Sequence, residues 1–112
     1  MKKIEAIIRH EKLDEVRRAL DKVGFPGLNI SEVEGHGKQK GVVQQWRGEE
    51  YRVELLPKVR LEIVVSDKEV SKIVRAITET AKTGGVGDGK IFVSTVDEVV
   101  RIRTGETGES AL

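Results

Sequence analysis

At 112 residues the chain is one domain of polypeptide, enough to bury about two-thirds of its unfolded surface around a single core and too short for a second. Charged residues make up 35% and apolar ones 38%, yet 20 basic and 19 acidic side chains nearly cancel, so bulk charge offers no argument for a nucleic-acid partner. The lack of cysteine excludes disulfides, thiolate metal sites and a cysteine nucleophile.

Met1-Lys2-Lys3-Ile4-Glu5 enters a strand pattern at once, and no later run approaches a membrane span; a cytoplasmic, soluble protein is the expectation. Ile4, Ala6 and Ile8 alternate with Lys3, Glu5, Ile7 and Arg9, which predicts a first strand near residues 2–9. His10 follows, an isolated histidine better suited to surface or packing than to metal ligation. Leu13, Val16, Leu20 and Val23 recur at helical spacing, with Asp14 and Glu15 early, Lys22 late and Gly24 as a stop, so a helix is expected over 12–23. Pro26-Gly27 turns the chain into a second strand at about 28–35.

Residues 37–54 form the first anomaly, with Gly37, Gly41, Gly48 and seven charged side chains. Structureless connections longer than about 12 to 15 residues are uncommon in compact domains and are usually functional or disordered. Val42, Val43, Tyr51 and Val53 could instead extend the flanking strands as a long hairpin. Either way the tip, Trp46-Arg47-Gly48-Glu49-Glu50-Tyr51, offers two aromatics and an arginine, the residue types that anchor protein partners.

Val59, Leu61, Ile63 and Val65 alternate in a third strand. Ser66 and Glu69 have capping-box spacing before a second helix whose apolar face is Val70, Ile73, Val74, Ile77 and Ala81. Ile91, Phe92, Val93 and Val96 give a fourth strand, and residues 98–103 a possible short fifth. The resulting βαββαβ order predicts an α+β, ferredoxin-like antiparallel sheet with both helices on one face. The other face would carry Ile7, Val64 and Phe92 among charges such as Glu62, and no helix remains to cover them. Association of identical subunits is the expected solution.

Between the second helix and fourth strand lies Thr83-Gly84-Gly85-Val86-Gly87-Asp88-Gly89-Lys90, followed by Arg101-Ile102-Arg103-Thr104-Gly105. Glycines let backbone N–H groups close around an anion, and nearby cations neutralise it, so residues 82–90 read as a phosphate-binding loop. Gly84, Gly89 and Lys90 satisfy G-x-x-x-x-G-K, but Ile91 stands where Ser or Thr would hold magnesium. The loop also follows a helix and opens a strand, the reverse of a P-loop. Arg101 and Arg103, two apart, would share one face of a strand and could both reach an anion.

Taken together, Gln39-Lys40-Gly41, Arg47-Gly48-Glu49-Glu50-Tyr51, Leu56-Pro57-Lys58-Val59, Gly87-Asp88-Gly89-Lys90-Ile91-Phe92-Val93 and Arg101-Ile102-Arg103-Thr104-Gly105-Glu106 resemble the PII nitrogen signal-transduction proteins, in order and across the whole chain. The resemblance implies a single PII-like domain over 1–112, assembled as a homotrimer, with a partner-binding loop over 37–54 and a C-terminal loop and tail over 101–112. It implies ATP or ADP in clefts between neighbours, bound by His36, Gly37, Lys38, Gln39 and Asp88 among others, with Gly87, Gly89 and Lys90 at the phosphates and with Arg101 and Arg103 reaching in to them from an adjacent subunit. Adenosine would lie near Ile7, Gly35, Glu62 and Val64, with Asn29 from a neighbour. Gln39 is implied to hold Mg2+ together with ATP and 2-oxoglutarate, the keto acid also touching Lys40, Gly41, Lys58 and Gly87; oxygen ligands suit such a hard cation. Tyr51 matches the uridylylation position, and Trp46, Arg47 and Tyr51 the partner-facing tip.

Implied partners are an ammonium transporter, glutamine synthetase or its regulatory enzyme; the membrane is met only through a protein partner, and no nucleic acid is expected. Departures from the family pattern are Asn29 for a usual Thr, His36 for Phe, Lys38 for Arg, Trp46 for Tyr and His10 for Pro. The reading is of a regulator, not an enzyme. A phosphoryl-transfer enzyme is the first rival, opposed by the lack of a paired base and nucleophile. An RNA-recognition-like module is the second, suggested by the fold order, but only Phe92 offers a strand aromatic for stacking.

Overall fold

The computed structural model describes residues 1–25, 27–35, 42–46, 49–53 and 56–112. Strand β1 (Lys2–Arg9) leads through a short 3-10 turn into helix α1 (Leu13–Lys22). Strand β2 (Asn29–Gly35) is followed by a hairpin of β3 (Val42–Trp46) and β4 (Glu49–Val53), and then by the long strand β5 (Leu56–Val65). Helix α2 (Val70–Ala81) and strand β6 (Lys90–Thr95) complete the fold. The main sheet has the order β2-β5-β1-β6 with every pair antiparallel, the ferredoxin-like arrangement expected from the sequence.

Alternation dictates which face of the sheet is covered. Ile4, Ala6 and Ile8 of β1 and Val59, Leu61 and Val65 of β5 are buried, and they form one core with Val16 and Leu20 of α1 and Ile73, Ile77 and Ala81 of α2. The helical contributions fall at i and i+4 in α1 and at i, i+4 and i+8 in α2, one stripe on each helix. α1 ends as Gly24 demands. Its φ of 97° lets the Gly24 amide donate to Asp21 O at 3.0 Å and the Phe25 amide to Leu20 O at 2.9 Å, closing a Schellman motif.

The register places the opposite face in rows. Ser31, Arg60, Ile7 and Lys90 lie abreast across the four strands; the next row is Asn29, Glu62, Glu5 and Phe92, and beyond it stand Val64, Lys3 and Ser94. No helix among the described residues covers this face, and Phe92 is 53% exposed in the single chain.

Three expectations need correction. Ser66 and Glu69 form no capping box: Ser66 makes no side-chain cap, the Glu69 amide donates to the Ser66 carbonyl, and a 3-10 turn over Asp67–Glu69 enters α2. The fifth strand over 98–103 is absent; a lone bridge pairs Val100 with Thr107, and the Arg101 carbonyl accepts from the Gly105 amide in a tight turn. Arg101 and Arg103 therefore do not share a strand face. The third strand also begins earlier than its apolar alternation, because Pro57 and Lys58 pair with Glu34 and Val33 of β2. In the 37–54 region, Val42–Trp46 pairs with Glu49–Val53 as a separate two-stranded sheet, while 36–41, 47–48 and 54–55 lie outside the described residues.

Candidate functional site

The site is built where β1 ends, β5 begins and the glycine turn joins α2 to β6. Gly84, Gly87 and Gly89 take φ of 90°, 101° and 100°, a region that L side chains rarely enter, so the turn needs its glycines. Gly89 has a second reason. A Cβ built there would lie 1.7 Å from the Ile7 carbonyl oxygen, because the turn passes directly over β1 where Ile7 pairs with Lys90.

Asp88 organises the turn from within. Its Oδ2 accepts from the Thr83 and Gly84 amides at 2.8 and 2.9 Å, and its Oδ1 accepts from the Thr83 hydroxyl and from Arg9 Nε at 3.0 Å. Arg9 Nη2 also donates to Val86 O at 2.9 Å, and Lys58 Nζ donates to Gly87 O at 2.8 Å. Arg9 and Lys58 are register partners on β1 and β5, so two cations from adjacent strands reach the same turn.

These contacts explain the electrostatics. Donation by the Thr83 hydroxyl, then by its amide, with Arg9 and Gly84 adding to them, holds the Asp88 carboxyl well below its usual value of 3.8. The Lys58 ammonium is buried, and desolvation first, with the charge of Arg9 second, lowers it from 10.5. Because the folded-state value of Asp88 is depressed, its contribution to turn order is complete above the unfolded value of about 3.9 and is lost progressively as pH falls from there through the lower folded value. Amide-exchange protection of residues 83–90 should therefore be the same at pH 5 as at pH 7 and decline steadily below about pH 4; a decline centred near pH 5 would contradict the clasp.

The predicted residues separate into groups. Ile7, Asp88, Gly89 and Lys90 line a cleft of about 330 Å³ where the end of α2 meets β1 and β6. Asn29 and Glu62 are register partners on the uncovered sheet face that also carries Ile7 and Val64. Asp88 is placed at the turn as expected, but its carboxylate is taken up by the protein's own donors. Arg101 stands apart from the cleft: it donates to Glu106 Oε1 at 3.0 Å and to the Ser110 and Leu112 carbonyls, while Arg103 is exposed on the tight turn. His36, Gly37, Lys38, Gln39, Lys40, Gly41 and Arg47 lie outside the described residues, and Gly35, Trp46 and Tyr51 are described as backbone only. His10 is exposed beside Glu32.

Sequence reasoning missed Arg9. Arg9 was legible only as an outward position at a strand end, and its reach to the turn depends on tertiary structure. Arg60 lies beside Ile7 in the register, with Nε 3.3 Å from Glu5 Oε1. Among the described residues no group of three His, Cys, Asp or Glu side chains could hold a metal ion. No helix among them is long and apolar enough to cross a membrane.

The family model described as nitrogen regulatory protein P-II matches residues 1–106. The chain is 54% identical over 112 residues to nitrogen regulatory protein P-II 2 of Methanothermobacter thermautotrophicus, covering all of this chain and 97% of that protein. It is 56% identical to nitrogen regulatory protein P-II of Pasteurella multocida and 54% to that of Rhizobium meliloti, each over the full length of both chains. With the ferredoxin-like sheet in place and the glycine turn built as described, the chain belongs to the P-II family of nitrogen regulatory proteins.

Proposed function

We propose that this chain is a cytoplasmic, non-enzymatic sensor of nitrogen status that works as a homotrimer and binds ATP or ADP where subunits meet. The observation that carries this reading is the full-length match to P-II regulatory proteins combined with a turn whose glycines and cation-held carbonyls suit a phosphate. The uncovered sheet face, with Phe92 53% exposed, and Ile102, 98% exposed, support burial against a second copy. Gly87, Gly89 and Lys90 bind the phosphates, and Arg101 and Arg103 of a neighbour complete the site once Arg101 exchanges its own Glu106 for the nucleotide.

With ATP in place, Gln39 and the ligand oxygens hold Mg2+ and 2-oxoglutarate, Lys58 pairing with a carboxylate of the keto acid. The donor set is oxygen-rich and suits a hard cation. The 37–54 loop then selects its target, an ammonium transporter or the glutamine synthetase system, through Trp46, Arg47 and Tyr51, and Tyr51 is the site of modification. Ligands act only through their different preference for loop states.

Calorimetry with ATP, magnesium and 2-oxoglutarate, added singly and together, tests the reading. Gln39→Ala should abolish magnesium-dependent 2-oxoglutarate binding and spare most ADP binding. An unchanged keto-acid titration would remove Gln39 from the site.

A further inference from the structure

Two amides of the glycine turn have an orientation imposed from β1 and β5. In a planar trans peptide the C=O and N–H point in opposite directions. Arg9 Nη2 holds the Val86 carbonyl at 2.9 Å, so the Gly87 N–H in the same plane points away from Arg9. Lys58 Nζ holds the Gly87 carbonyl at 2.8 Å, so the Asp88 N–H points away from Lys58. The Gly87 amide donates to no acceptor among the described residues, whereas the turn at Val86 and Gly87 directs the Asp88 amide at the Gly85 carbonyl. Meanwhile Arg9 Nε, at 3.0 Å, helps to occupy the Asp88 carboxylate together with Thr83 and Gly84.

We propose that Arg9 is a positioning residue for phosphate: by gripping the Val86 carbonyl and the Asp88 carboxylate at once, it presents the Gly87 amide to the anion and keeps the nearby acid from repelling it. This rests on the nucleotide reading above. Arg9 acts from behind the turn and does not touch the ligand. Its planar fork matters because one group must serve two acceptors, a carbonyl and a carboxylate, in fixed directions.

The test compares the full chain with Arg9→Gln, Arg9→Lys, Asp88→Asn and the Arg9→Gln/Asp88→Asn double variant, titrating ATP and adenosine and recording amide spectra without ligand. Arg9→Gln should weaken ATP about tenfold, the scale of one charge-assisted contact, and leave adenosine unchanged. It should also shift the Gly87 and Asp88 amide resonances in the ligand-free protein. Arg9→Lys should recover only part of the ATP affinity. The double variant should bind ATP no more weakly than the weaker single variant, because both changes release the same turn.

Equal ATP affinity in the parent chain and Arg9→Gln would overturn the inference alone. So would equal losses for ATP and adenosine, or losses that multiply fully in the double variant, as a direct phosphate contact by Arg9 would give. Absence of saturable ATP binding by the parent chain would overturn the nucleotide reading and this inference together.

Discussion

Gly89→Ala is expected to cost about 3 kcal/mol or more of stability, roughly 10 to 20 °C in Tm, and to eliminate nucleotide binding by whatever chain still folds. Two independent penalties meet at this position. A φ of 100° strains any residue with a Cβ, by about 1 to 3 kcal/mol. The added carbon would also sit 1.7 Å from the Ile7 carbonyl oxygen and 2.8 Å from its carbonyl carbon. Those atoms belong to a central strand, hydrogen-bonded on both sides to β5 and β6, so they cannot step aside as a flexible side chain would. Relief requires the turn to lift from β1, which breaks the Ile7–Lys90 pairing and misplaces the amides next to it. Scanning calorimetry checks the stability, and a melting temperature within about 2 °C of the parent would contradict this account of the turn.

Ile73→Ala is expected to destabilise by about 2 to 5 kcal/mol. Ile73 is fully buried at the N-terminal end of the α2 stripe, in the core cluster that also holds Ile4 and Ile8 of β1 and Val16 and Leu20 of α1. Its truncation removes apolar burial and leaves a cavity that two helices and a sheet cannot easily collapse around. Against a total stability of about 5 to 15 kcal/mol, this is a large fraction. The residue does not line the cleft, so nucleotide affinity of the folded protein should be preserved. Urea denaturation at fixed protein concentration, with an unchanged m-value and a lower midpoint, is the expected result. A loss under about 1 kcal/mol would mean that the core is not organised around this helix face.

The sheet and helices were legible because their signals are local. Period-two alternation in residues 2–9 and 59–65, and the i, i+4, i+8 spacing of Ile73, Ile77 and Ala81, state both the element and the buried face. The glycine turn was legible as a turn for the same reason, since Gly84, Gly87 and Gly89 mark positions where the backbone takes positive φ. What failed depended on competition between local options. Ser66 spacing allowed a capping box, but the Ser66 carbonyl took the Glu69 amide in a 3-10 turn instead. Arg101 to Arg103 had strand-like alternation, but the Gly105 amide closed onto the Arg101 carbonyl and the chain turned back. Arg9 was invisible as a site residue because its partners Asp88 and Val86 lie more than seventy positions away. Asp88 was misread for a different reason: its acceptors face Thr83 and Gly84, only five and four positions away, a local closure that competes with binding an outside partner.

The central claim is that adenine nucleotide is held through the turn over residues 82–90, and calorimetric titration of the purified full-length chain with ATP tests it most directly. Saturable binding at one nucleotide per chain, lost in Gly89→Ala, is the result the account predicts. Heats no larger than those of dilution, with or without magnesium, would contradict it.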